Sequence, residues 1–315
     1  MPYNNLISRT SAQALIPENV SNDILGGLSN DSAALQMFRQ VRMATNQTRM
    51  PVLSALPTAY FVNGDTGLKQ TTQVDWSNKY LNVEELATIV PIPEAVFDDA
   101  GFDVWGNIKP LLVDAIARSL DAAVIFGTNK PASWAGALVT DATTAGNVVN
   151  RSVGTPRTDK AGMAGYFSDA FAQVEGDGFA VNGVVANTSY KGLLRNTRDA
   201  NGQLLAEVNP NSVFGEQVKY PMRGLWPASG VGAAEAIVGD WSQAILGIRQ
   251  DITYKVITEG VIQDNAGVIQ YNLPQQDMIA LRVVFRCAFQ TANTLNYDNA
   301  NASTRYPFSV IKQAA

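Results

Sequence analysis

The side chains able to do chemistry in this chain are few, and the chain contains no histidine. Histidine is the commonest general base, the commonest nitrogen ligand of metals and the usual switch near neutral pH. Without it, neither a Ser-His-Asp relay, a Cys-His pair nor a zinc site of the usual kind can be built. The single cysteine, Cys287, alternates with Phe285 and Phe289 on the apolar side of a strand pattern, which makes it a buried, inert thiol. Lys130 lies in Phe126-Gly127-Thr128-Asn129-Lys130-Pro131, which lacks the glycine spacing of a phosphate-binding loop and reads as a helix stop followed by a turn. Glu84 and Glu85 are neighbours on a strand and point to opposite faces. Asp98 and Asp99 precede a helix whose N-terminal dipole they favour. No acidic run has the spacing of a calcium loop. An enzyme, a metal and a cofactor are therefore not expected.

Bulk composition points the same way. Of 315 residues, 46% are hydrophobic and only 16% charged, which suits a protein that buries much of its surface against copies of itself. The net charge of -5, with basic residues scattered singly, leaves no stripe to grip nucleic acid. No apolar run reaches membrane-spanning length, and the first residues lack the layout of a signal peptide, so no membrane partner is expected. One cysteine makes no internal disulfide, which suits a reducing cytoplasm.

The elements that must position these residues read as α+β. Residues 1–50 form an arm with short helices. One starts at Pro17 and ends at Gly26–Gly27; the next is capped by Asn30 or Ser32 and carries Leu35, Phe38 and Val41. Residues 58–90 read as two strands joined by Asn63-Gly64-Asp65-Thr66-Gly67. The segment QTTQVDWSNKY is polar except at Val74, Trp76 and Tyr80, so this hairpin is expected to project. Asp103–Phe126 carries the longest helical stripe, with Pro110 as a kink or a broken first turn and Gly127 as its stop. Residues 139–160 read as a surface loop, 159–174 as a helix, 181–186 as a strand, and a further helix starts near Thr188. Alternation from Gly247 and again from Ile279 to Phe289 gives half-buried strands, and YPFSVIK closes the chain.

In this order and spacing the chain resembles the major capsid proteins of tailed bacteriophages, which share the Hong Kong 97 fold. LIPENVSNDILGGLSNDSAALQMFRQVRM resembles the family's N-terminal arm, and MPVLSALPTAYFVNGDTGLKQTTQVDWSNKYLNVEELATIVPIPEAVFDD its extended loop. DVWGNIKPLLVDAIARSLDAAVIFGTNKP is similar to its spine helix and glycine-threonine turn, while AIVGDWSQAILGIRQDITYKV and MIALRVVFRCAFQTAN resemble its later strands.

The resemblance implies an arm at 1–50, an extended loop at 51–90 and a peripheral domain from 91–181 (spine helix 103–126) and 271–315, with an axial domain at 182–270. It implies self-assembly into hexamers and pentamers of an icosahedral head around double-stranded DNA, with Lys69, Trp76, Lys79 and Tyr80 of the extended loop touching a neighbouring subunit. A separate scaffolding protein, a portal protein and a decoration protein are the further partners implied, with assembly in the host cytoplasm and residence in the virion. Some members join a loop lysine to a neighbour's asparagine with help from a glutamate. Here Asp277 and Val284 occupy those two positions, and no glutamate follows Glu259, so cross-linking is not expected. The alternatives are an encapsulin-like nanocompartment shell of the same fold and a histidine-free carboxylate-based hydrolase.

Overall fold

The computed structural model describes residues 32–314 apart from 63–67, 70, 100–103, 153–161, 199–201, 206, 222–223 and 227–231. The first expected arm helix and the Asn63–Gly67 turn lie outside the described residues. The described residues divide into two compact units: a larger one within 32–84, 118–249 and 287–314, and a smaller one within 85–117 and 250–286.

The larger unit is organised by a six-stranded sheet. Its strands are β5 (Val148–Arg151), β6 (Gly183–Ala186), β7 (Ser212–Val213), β8 (Glu216–Lys219), β9 (Ala234–Gly239) and β14 (Phe308–Gln313), in the order β5-β14-β9-β6-β8-β7. The YPFSVIK segment is thus an inner strand, antiparallel to β9 with Val310 opposite Ile237. Successive side chains leave opposite faces of the sheet. Val184, Ala186, Ala236 and Val238 pack with Phe167, Ala170 and Phe171 of helix α5 (Gly162–Gly176) and with Tyr190 and Leu194 of α6 (Tyr190–Arg195). Phe308 meets Trp241 edge-on at 5.1 Å, and Phe38 stacks on the same indole at 5.8 Å. The Trp241 indole is satisfied because its Nε1 donates to the Gly183 carbonyl at 2.9 Å.

Two stretches differ from the sequence reading. The Thr-, Gly- and Asn-rich region 139–160 is not simply a loop: it contains α4 (Leu138–Ala145) and β5. Leu138 and Ala142 bury one side of α4, and Thr143 and Thr144 return their hydroxyls to the carbonyls of Val139 and Thr140, so the polar residues stay inside the helix. Gly146, at φ 91°, then closes it. In the arm, Ser32 caps a five-residue helix, α1 (Ala33–Met37), but Phe38 is extended and Val41 lies on β1 (Arg39–Arg42), parallel to β10 (Ala244–Ile257). A strand partner outweighs one more helical turn, because a helix this short gains little by itself.

The long helical stripe is α3 (Val104–Asp121), continued by a π turn at Ala122–Phe126. Pro110 sits within α3 without ending it. Gly127, at φ 77°, stops the run; its N–H donates to the Ala123 carbonyl and that of Thr128 to Ala122, both at 3.1 Å. Asp98 and Asp99 precede α3, but they are the last residues of a separate helix, α2 (Glu94–Asp99).

In the smaller unit lie most of β4 (Glu84–Pro93), the later half of β10 and most of β13 (Met278–Thr291). In the sheet order β1-β10-β13-β4 these three strands are successive neighbours. Buried Ile252, Val283 and Phe285 supply apolar interior, and a separate hairpin pairs β11 (Val261–Gln263) with β12 (Ile269–Asn272).

Candidate functional site

The expected extended loop is built on an antiparallel pair, β2 (Gln47–Ala55) and β3 (Asp75–Asn82). These strands sit farther from the Asn63–Gly67 turn than the sequence reading placed them, and residues 84–93 belong to β4 instead of the hairpin. Pro51 lies on a strand that pairs on one side only, the setting in which proline is tolerated in a sheet.

Register sorts the hairpin into two faces, since residues directly opposite each other share one. The inner face carries Thr48 opposite Leu81, Met50 opposite Lys79 and Val52 opposite Ser77. Leu81 is 0% exposed and clusters with Met43, Ile245 and Ala288, with Met50 and Val83 packed alongside. Trp134 Nε1 donates to the Asn82 carbonyl at 3.0 Å, fixing the base of the hairpin. The base is therefore part of its own unit's interior, contrary to the expectation of a wholly projecting hairpin.

The outer face carries Arg49 opposite Tyr80, Pro51 opposite Asn78 and Leu53 opposite Trp76. All six are exposed; Trp76 keeps 68% of its surface open, Tyr80 44% and Leu53 41%. Beyond the strands, among the described residues, Phe61 and Leu68 are largely uncovered and Lys69 is exposed. The Thr58 N–H donates to Thr72 Oγ1 at 3.0 Å, and the Tyr297 hydroxyl donates to the Pro57 carbonyl at 2.8 Å.

The four residues singled out in the sequence thus separate. Trp76 and Tyr80 share the outer face, and Lys69 lies near the far end. Lys79 turns inward, where its Nζ donates to the Thr291 carbonyl at 2.9 Å. Burial, then the nearby Arg305 charge, lower its pKa below the ordinary lysine value, with Asp141 opposing. Sequence reasoning missed Arg49, Leu53, Phe61 and Leu68. The run Ala59-Tyr60-Phe61-Val62 beside a turn was a readable signal, whereas Leu53 becomes visible only once the register sets it opposite Trp76.

The other candidate groups are occupied structurally. Lys130 donates to the carbonyls of Pro131 and Trp134 and so pins the turn after Gly127. Cys287 is buried, and burial first, then Glu84, push its thiol up to about 12. Ser133 donates to Glu84, and Glu85 lies 4.0 Å from Arg286. Among the described residues, no three metal-binding side chains gather in one place.

The model of the phage capsid family matches residues 12–294. The chain belongs to the phage capsid family. It is a structural protein of the phage shell, a component of the virion that assembles with copies of itself, and not an enzyme. This capsid chain is 23% identical over 298 residues to the major capsid protein of Staphylococcus phage 80alpha, covering 92% of this chain and 85% of that one. A solved structure from Microbacterium phage Oxtober96 is 36% identical, with a TM-score of 0.77 over 98% of this chain and 100% of the other. One from Mycobacterium phage Adephagia is 32% identical, with a TM-score of 0.79 over 99% of each. The α+β capsid fold implied by the sequence is therefore the fold of this capsid chain. Neither the nanocompartment nor the hydrolase alternative finds support in these matches.

Proposed function

We propose that the chain closes an icosahedral head from hexamers and pentamers around double-stranded DNA, and that the outer face of β2–β3 is laid on a neighbouring copy. The observation that carries this reading is the two-sided hairpin. Its inner face is anchored by Leu81, while its outer face offers Trp76, Tyr80, Leu53 and Arg49 to solvent. Tryptophan, tyrosine and arginine are the residue types that dominate interface energies, about 2 kcal/mol or more each when enclosed. An anchored base also lowers the ordering cost of the contact, because the strands are held before the neighbour arrives.

In this reading residues 182–270 form the axial domain, and 91–181 with 271–315 the peripheral domain. Scaffolding, portal and decoration proteins are separate partners, and assembly takes place in the host cytoplasm. The net charge of -5 suits DNA that is enclosed and not gripped. Limited trypsinolysis tests the hairpin contact. Cleavage after the exposed Lys69 is expected in unassembled subunits and is lost in shells, while Lys79 is spared in both because it faces inward. Equal cleavage after Lys69 in both states overturns the reading.

A further inference from the structure

Between β13 and β14 the chain makes a closed loop of residues 293–305. Its two ends bond each other: Asn293 Nδ2 donates to the Arg305 carbonyl at 2.9 Å, and Arg305 Nε donates back to Asn293 Oδ1 at 3.2 Å. Joined ends and an interior filled by the loop's own side chains make an Ω-loop. Arg305 supplies that filling, since its Nη1 donates to the Asn299 carbonyl at 2.8 Å. Below the loop lies the buried Asp177, just past the end of α5. Its carboxylate accepts from Asn299 Nδ2 and Asn147 Nδ2, both at 2.7 Å, and from the Tyr306 N–H at 3.0 Å. Asn296 Nδ2 donates to the Asp177 carbonyl at 2.7 Å. Releasing any of these donors leaves a buried acceptor short of a bond, so the loop is held firmly to the unit beneath it.

This anchored segment touches the hairpin at two separate points. Near the hairpin base, Lys79 Nζ donates to the carbonyl of Thr291, shortly before the loop begins. Farther out the β2–β3 ladder ends, at Ala55 opposite Asp75. Just past that end the Tyr297 hydroxyl donates to the Pro57 carbonyl at 2.8 Å. The N–H of the same peptide unit, that of Thr58, donates to Thr72 Oγ1 on the returning chain at 3.0 Å. One peptide unit is therefore held from both sides, and hydrogen bonds linked in this way strengthen each other. Tyr297 keeps 71% of its surface open, so its tie to the hairpin is the hydroxyl and not ring packing.

We propose that the 293–305 loop is a brace, with Tyr297 as its positioning residue, that sets the direction in which the extended loop leaves its own subunit before a neighbouring copy meets it. One attachment would leave a pivot; two, at Lys79 and at Pro57, fix a direction. The second is needed because a two-stranded ribbon is only marginally stable by itself, and here it acts where the ladder has stopped. A segment held beforehand costs less to order when the neighbour binds. The consequence for assembly rests on the hairpin reading above, whereas the brace within the subunit does not.

Hydrogen exchange at the Thr58 amide, resolved to the single residue in unassembled full-length subunits, reads the brace directly. Tyr297→Phe keeps the ring and removes the donor. One net hydrogen bond corresponds to a factor of about five in an equilibrium, so the Thr58 amide should exchange up to about fivefold faster. The melting temperature of the subunit should stay unchanged, and the protein concentration needed for shells should rise by up to the same factor. Asn299→Ala alters no group on the hairpin, yet it should quicken the same amide by loosening the loop from Asp177. A Thr58 amide that is unmoved by either variant overturns the brace. Trp76→Ala, assayed alongside, separates the two readings. If it impairs shells while Tyr297→Phe does not, the brace has no part in assembly and the hairpin reading stands; if shells form normally from both variants, the hairpin reading falls as well.

Discussion

Replacing Trp76 with alanine should damage assembly far more than folding. A tryptophan side chain has on the order of 200 Å² to bury. In the subunit 68% of Trp76 is open, which leaves roughly 130 Å² for a neighbour. At about 25 cal/mol per Å², that is about 3 kcal/mol for each docked hairpin, an upper figure because ordering costs subtract from it. The contact should weaken by about a hundredfold, raising the protein concentration needed for shells accordingly. The buried third contributes at most about 1.5 kcal/mol to the subunit, a drop of only a few degrees in Tm. Negative-stain microscopy across a dilution series reads the first effect, and thermal melting of unassembled subunits reads the second. Normal shell yield, or a melting point lowered by about 10 °C or more, would mean that Trp76 belongs to the subunit's own interior and that the two-face reading is wrong.

The converse variant, Leu81→Ala, removes a side chain with no exposure from the cluster of Met43, Ile245 and Ala288, and should destabilise the subunit by about 2–5 kcal/mol in thermal or denaturant melts; an unchanged melt would contradict the inner-face assignment. The Cys287 thiol, buried and shifted up to about 12, should resist a soluble disulfide reagent at about pH 8 until the chain is unfolded, and prompt reaction of the native protein would show it to be accessible. Shells boiled in detergent should release one band at 33.8 kDa, since Lys79 is held against the Thr291 carbonyl and the sequence resemblance sets Asp277 and Val284 at the two other positions that cross-linking would need; a ladder of multiples would show covalent joining.

Elements governed by local signals were legible in the sequence. The stripe from Trp105 to Ala123 and the positive φ available to Gly127 set the long helix and its stop, and alternation around Phe285 set β13. The hairpin strands lie farther out than expected because a glycine turn does not fix where pairing begins, and the pairing residues of β2, with Pro51 among them, carry no turn signal nearby. Region 139–160 misled because threonine and glycine suggest a loop, yet hydroxyls that bond back along α4 and the parallel partner of β5 make regular structure there. Two features of the surface and the arm depend on residues distant in sequence. The outer face needs the register of Leu53 on Trp76, and the cap of α1 needs a carboxylate from the end of α3. Neither has a local signature.

The most direct measurement is an electron cryomicroscopy map of the assembled shell in which side chains are visible. The outer face of β2–β3 should be covered by another copy of the chain, with the Trp76 indole and the Tyr80 ring in van der Waals contact with it, at about 4 Å. A map in which Trp76, Tyr80 and Leu53 all face solvent in every subunit would contradict the account.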